Sequence, residues 1–397
     1  MMPIGSIVAI AVLIAALPRI TASIYTPSMP SMVDHFNTTH GMVEFTFTAY
    51  IVGLAAGQLV YGPLSDLWGR RPVLLAGLAI FAACSLLAAF VPTIEYMAVG
   101  RFVQAFSAAA GGVLARAMIR DLMGPERTVR AIAYVTMATT LSPAVGPLVG
   151  GQFEYYFGWQ SIFLALSAAG AILIAVCWFL LPETRPPSGA SSPVGLRALG
   201  YGFFRLARSR PFLAYSFAGG MLLASQLVFF ARTPFLFIET LGITPRDFGL
   251  YSIAGVIGFM AGNFIVTRRR GVGDTARMVL TGSVIACAGT TIMLIMAAAI
   301  DLTVWSMILP FVIVTLGGGI AMPNAFAGCL NRHPEIAGTS SSLSGFINMT
   351  VSAAATAALG LVPGSPAVSL AVMMLGLTIG SVLVAWSNPE RHAVDPP

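Results

Sequence analysis

Three arginines stand inside long apolar runs: Arg19, Arg101 and Arg232. A guanidinium in such surroundings can hold an anion or stabilise a bound substrate. It costs roughly 2.5–3.5 kcal/mol to place at a bilayer centre, so a residue of this kind faces a polar cavity and marks function. Arg19, beside Pro18, is too deep in its run for easy escape; Arg101 lies only a few residues into its own and could snorkel outward. Arg232 stands near the end of a run, where interfacial anchoring explains it equally well. No Asp or Glu lies well inside any of these runs. Proton coupling needs a carboxylate, and elimination leaves Glu44 first and Asp34 second, although both also read as outer-loop charges.

Two backbone-shaping stretches accompany these charges. Gly62 to Arg71 reads GPLSDLWGRR, with Asp66, Arg70 and Arg71 between apolar runs. So polar a stretch cannot sit in hydrocarbon, which predicts a tight, wet hairpin. Gly62 and Gly69 would allow close approach and tight turning, and Pro63 and Pro72 would punctuate the helix ends. Ser142 to Gly151 reads SPAVGPLVGG. Gly146 and Gly150 lie four apart, on one helix face, and admit a close neighbour helix. Pro143 and Pro147 each remove a backbone donor, so bending is expected there. Among polar and aromatic residues, Tyr50, Gln226 and Phe229 (beside Phe230) are candidates to line a cavity. Asn324 and Asn348 are interhelical glue or substrate contacts.

The elements that carry these residues follow from composition. The chain has 397 residues, 57% hydrophobic and 9% charged, with mean hydropathy +0.86. Soluble proteins carry about 25% charged residues, so this surface suits lipid. Spans of about 20 apolar residues cross a bilayer core, and twelve are expected. They cover 4–25, 44–64, 73–91, 97–118, 131–152 and 160–181, then 212–233, 247–267, 278–300, 303–326, 338–361 and 367–387. The expected fold class is an all-α polytopic membrane protein, two six-helix bundles at 1–181 and 212–397 joined by a cytoplasmic linker at 182–211. That linker is rich in proline, serine and arginine, with a short amphipathic helix expected at its arginine-rich end. The first apolar run lacks the basic start and cleavage site of a signal peptide and is expected to stay as the first span.

Charge supports the count. With both termini cytoplasmic, Arg70, Arg71, Arg185, Arg268, Arg269, Arg270, Arg277, Arg332 and Arg391 fall inside; Asp34, Glu95, Glu154, Glu239 and Asp301 fall outside. A weak repeat agrees: Ala56–Gln58 reads AGQ and Ala261–Asn263 reads AGN, each in the second span of its half. This suits two parallel repeats about an axis along the membrane normal. The net charge of +6 is topology-setting rather than a nucleic-acid patch. Cys84, Cys177, Cys287 and Cys329 form no CxxC, and the four histidines show no ligand spacing, so neither disulfide, metal nor cofactor is expected. The chain has no lysine and no phosphate-binding loop, which excludes ATP-driven pumping by this chain alone.

The pattern G-x-x-x-D-x-x-G-R-R in Gly62–Arg71 resembles the loop between helices 2 and 3 of the major facilitator superfamily, with Leu67 where an arginine is common. Arg101 to Gln104 resembles that family's R-x-x-Q-G element, with Ala105 for the glycine. Ser142 to Gly151 is similar to its antiporter-associated proline/glycine element, and Pro182-Glu-Thr184 to the close of its N-terminal half. Tyr25 to Pro30, Gln58 to Asp66 and Arg116 to Asp121 resemble drug/proton antiporters of the bicyclomycin- and chloramphenicol-resistance type. The resemblance implies a monomeric exporter in the bacterial inner membrane, moving small molecules against protons by alternating access of two bundles, with no enzymatic activity. It implies that Arg101 and Gln104 contact substrate and that Asp66, Arg70 and Arg71 gate the cytoplasmic face. Ser23 departs from the pattern, because such exporters commonly carry an aspartate there. Arginines without buried carboxylates favour a second reading, export of an organic anion such as a carboxylate metabolite or siderophore. A channel or membrane-embedded enzyme is disfavoured, since no catalytic triad or selectivity-filter pattern occurs.

Overall fold

A computed structural model describes residues 4–123, 125–184, 196–268, 275–331 and 336–392. The middle of the expected linker, 185–195, and the loop residues Arg185, Arg269, Arg270, Arg332 and His333 lie outside them. The described residues are almost entirely helical and include no strand. Twelve helices are long and apolar enough to cross a membrane.

The chain divides into two compact units, Met1–Gly195 with Thr244–Leu250, and Leu196–Ile243 with Tyr251–Pro397. The first carries α1 (Ile4–Ile24), α2 (Met29–His35), α3 (His40–Trp68) and α4 (Arg70–Ala88). It continues with α5 (Ile94–Leu122), α6 (Pro125–Phe157) and α7 (Trp159–Leu180). The second begins with α8 (Leu196–Ala207) and α9 (Arg210–Pro234), and holds most of α10 (Pro245–Arg268). Then come α11 (Thr275–Ala299), α12 (Val304–Asn331), α13 (Ala337–Ala358) and α14 (Pro366–Trp386). α1 and α2 form one span through a 3-10 turn at Thr26–Ser28. α8 occupies the arginine-rich end of the expected linker and groups with the second unit.

The turn between α3 and α4 is shorter than the sequence suggests. It shrinks to Gly69, whose φ of +96° only glycine adopts without strain. Pro63 does not end a helix; it lies inside α3, which runs on to Trp68. Gly62 admits no close neighbour either, since a Cβ there would meet nothing within 4 Å. Pro72 sits in the first turn of α4, where its missing N–H has no intrahelical partner to lose.

The AGQ/AGN repeat acquires a physical reason. A Cβ on Gly57 would lie 2.5 Å from Ala109 Cβ and 2.7 Å from the Phe106 carbonyl oxygen of α5. A Cβ on Gly262 would lie 2.2 Å from the Leu316 carbonyl oxygen of α12. In each half the second span presses its glycine on the fourth, backbone to backbone, as small-residue helix packing allows.

Candidate functional site

Arg101 is wholly buried, the largest such side chain among the described residues. Its guanidinium lies 4.1 Å from the ring centroids of both Tyr25 and Tyr50, and 5.9 Å from that of Phe163. It donates to the Thr21 carbonyl at 3.3 and 3.4 Å and to Gln104 Oε1 at 2.7 Å. Gln104 Nε2 donates in turn to Ser85 Oγ at 2.7 Å. Tyr50 donates its hydroxyl to the Pro18 carbonyl at 2.7 Å. Desolvated cation–π contacts of this kind contribute about 2 kcal/mol each. Expected as substrate contacts, Arg101, Gln104 and Tyr50 here have at most 0% of their surface exposed. Apart from Arg101 Nε, which has no hydrogen-bond partner among the described residues, their polar groups tie α1, α3, α4 and α5 together and brace the unit from within.

The same network reaches a carboxylate. Tyr25 shares a 2.9 Å hydrogen bond with Thr46 Oγ1, and both Arg101 and Glu44 lie within its electrostatic reach. Glu44, in the second turn of α3, is 3% exposed, so it is an interior group and not the loop charge that its place near a span end also allowed. Asp34 is exposed on α2, outside this network.

α1 and α6 meet along the proline/glycine stretch. A Cβ on Gly146 would fall 1.9 Å from Ser23 Oγ, and one on Gly150 would fall 1.7 Å from the Ile24 carbonyl oxygen. Ser23 Oγ lies 3.2 Å from the Ser142 carbonyl oxygen, across the seam, and within 3.3 Å of the Arg19 and Ile20 carbonyls. Ser23 is therefore a seam residue, buried and engaged with backbone, rather than an open substrate contact. Pro143 and Pro147 lie inside α6, which is assigned without a break across both.

At the α3–α4 turn, Arg70 gathers three acceptors. Its Nη1 meets Asp66 Oδ1 and Ser65 Oγ, each at 2.5 Å, and its Nε meets Asp121 Oδ2 at 3.1 Å. Glu183 caps the start of α4, accepting from the backbone N–H groups of Arg70 at 2.9 Å and Arg71 at 3.2 Å. A carboxylate at a helix N-terminus is favoured by the orphan N–H groups and the helix dipole. Arg71 donates to the Trp178 carbonyl and lies 5.6 Å from that indole. The turn is thus clamped to the ends of α5 and α7.

The second unit arranges its candidates more loosely. Gln226 Nε2 lies 3.6 Å from Met322 Sδ and covers Gly318 of α12. Phe229 stacks on Phe311 at 3.6 Å. Asn324 bonds back to its own helix at the Ile320 carbonyl, 2.7 Å away. Asn348 Oδ1 is buried without a hydrogen-bond partner among the described residues, beside Gly220 of α9. Among the described residues no cluster of His, Cys, Asp or Glu could hold a metal ion.

The family model described as Major Facilitator Superfamily matches residues 9–358. The chain belongs to this superfamily. Among its relatives, a bicyclomycin resistance protein homolog of Haemophilus influenzae is 27% identical, the match covering 86% of this chain and 85% of that one. Multidrug resistance protein D of Escherichia coli is 26% identical, covering 97% and 96%. The fold resembles a solved D-xylose-proton symporter, with TM-score 0.79, 13% identity and coverage of 98% and 99%. The protein is an integral membrane transporter of the superfamily, all-helical with twelve spans.

Within this superfamily member, sequence reasoning missed several contact partners of the candidate residues, whose signals lay in quoted motifs. Glu183 stands in Pro182-Glu-Thr184, Tyr25 opens the first-span element, and Asp121 closes Arg116 to Asp121. Each motif carried residues whose partners lie about 50 to 110 positions away, and a single chain read alone does not disclose the pairing.

Proposed function

We infer that the protein is a secondary active exporter of small organic molecules, driven by inward proton flow through alternating access. The observation that carries this reading is the seam of α1 and α6. Gly146 and Gly150 press on the backbone at Ser23 and Ile24 so closely that no side chain fits. A seam of that kind holds α1 and α6 together as one rigid piece of the first bundle, as rocking of whole bundles requires, and it lies in the stretch that resembles the antiporter-associated motif. The relatives named for bicyclomycin and multidrug resistance support drug-like cargo. Glu44 supports a proton role, being the one buried carboxylate among the described residues of the first unit and within electrostatic reach of Tyr25, which stacks against Arg101. Asp34 is the second candidate.

In this reading the α3–α4 clamp at Asp66, Gly69, Arg70 and Arg71 stabilises one state at the cytoplasmic face. Both termini face the cytoplasm, and the chain acts as a monomer in the inner membrane. Proton and substrate bias the two states by differential binding. The deciding measurement is drug uptake into inverted vesicles with and without an imposed proton gradient. Gradient-dependent accumulation that collapses with an uncoupler is expected. Glu44→Gln should abolish it while substrate binding persists, and uphill transport by that variant would remove Glu44 from the mechanism.

A further inference from the structure

Arg19 and Arg116 are handled unlike every other arginine described so far. Arg101 has two rings, a carbonyl and a carboxamide. Arg70 has two carboxylates and a hydroxyl. Arg19 and Arg116 make no hydrogen bond and no ion pair among the described residues. Desolvation acts most strongly on Arg19, followed by the repelling charge of Arg116 and then by Tyr50. The carboxylate nearest Arg116 in its own helix, Asp121, is already held by Arg70 at 3.1 Å.

The helix geometry sets the spacing of the two residues. α5 runs antiparallel to α1: Gly111 abuts Ile14, whereas Arg101, earlier in α5, reaches Thr21, later in α1. Arg19 and Arg116 each lie five residues past that Ile14–Gly111 crossing, on opposite sides of it. At 1.5 Å per residue their Cα atoms are roughly 15 Å apart along the helices. Helical side chains lean toward their own N-termini, so in an antiparallel pair these two lean toward each other. By surface accessibility Arg19 is half-buried and Arg116 exposed, yet desolvation is the largest influence on each charge, so both lie within the body of the protein. Two mutually repelling cations in apolar spans, with no counter-ion among the described residues, are further stabilised by an anion lying between them.

We propose that Arg19 and Arg116 form a subsite for the carboxylate of an organic anion, which makes carboxylate-bearing molecules the preferred cargo of this transporter. The proposal rests on the transporter reading but not on proton coupling. Arginine suits the task, because its planar fork matches a carboxylate through two parallel hydrogen bonds. A cationic substrate has no counter-charge at this point and is repelled.

The test is equilibrium binding to the full-length protein in nanodiscs, which is blind to coupling. Benzoate and phthalate are compared with the neutral amides of the same shapes, in pure phosphatidylcholine and again with phosphatidylglycerol. Wild type should prefer the carboxylates. Arg19→Gln and Arg116→Gln should each lower the carboxylate-to-amide affinity ratio about tenfold, the loss of one charge-assisted hydrogen bond. Arg19→Lys, which keeps the charge, should retain most of the preference, and thermal midpoints identify any variant that fails to fold. The proposal is overturned if neither carboxylate binds saturably, or if the ratio stays within twofold in both folded Gln variants. It is also overturned if phosphatidylglycerol eliminates the preference, because the pair then holds a lipid headgroup. Intact carboxylate binding without gradient-driven transport would sink the exporter reading alone.

Discussion

Both units bury tyrosine, phenylalanine, serine and threonine completely, but among the described residues only the first also buries a guanidinium and a glutamine, at Arg101 and Gln104. The reason is one of hydrogen-bond supply. A buried hydroxyl can satisfy itself on its own helix, as Thr378 does at the Met374 carbonyl and Ser283 at the Val279 carbonyl. Pairs such as Thr290 with Thr378 and Ser283 with Ser381, each at 2.8 Å, then add light contacts between helices. Arginine carries five donors in a fixed fork and no acceptor, so it must recruit partners from several helices. Arg101 does so from α1, α3 and α5, together with Tyr25 just past α1. Charge thus pins the geometry of the first unit, and close apolar packing pins that of the second. The groups that could respond to a proton or an anion, Glu44, Arg19 and Arg116, all lie in the first.

That contrast can be broken by mutation. Arg101→Leu should cost about 3 kcal/mol, since it removes the cation from two rings and strands the Thr21 carbonyl and Gln104 Oε1. Thermal unfolding in detergent measures it. A cost no greater than that of a hydroxyl deletion in the second unit would show that buried charge does not organise the first. Gly146→Ala should destabilise by about 1–3 kcal/mol by overpacking against Ser23, and it should slow transport more than it lowers the thermal midpoint. Equal loss of both would make the seam a packing feature alone. Glu183→Gln weakens the cap on α4 and should cost about 0.3–1 kcal/mol, seen as increased proteolysis at the α3–α4 turn. The smallest effect belongs to the second unit: Thr290→Val should cost about 0.6 kcal/mol, the average for interhelical hydrogen bonds in membranes. A loss near that of Arg101→Leu would erase the difference between the units.

Much of the architecture was readable in one dimension. Span number follows from apolar length, because a bilayer imposes one length on every helix. The site was less legible. Arg101 and Gln104 were singled out as substrate contacts, but sequence spacing places them only on one face of α5. Whether that face meets a cavity or three neighbouring helices depends on contacts 80 positions away in the chain, such as Thr21. Arg116 entered only as the first residue of the Arg116 to Asp121 stretch, since nothing in its surroundings in the chain points to Arg19. Pro63 misled for the opposite reason: proline is a strong local signal, yet a glycine six residues later ends the helix.

The sequence alone determined the solvent of this protein, its helical class and its twelve spans, because hydropathy and length are properties of local residues. Only the tertiary structure decided which arginine is braced and which is left open. That distinction rests on the acceptors within a few ångströms of each guanidinium, and those acceptors come from helices that the sequence does not place side by side.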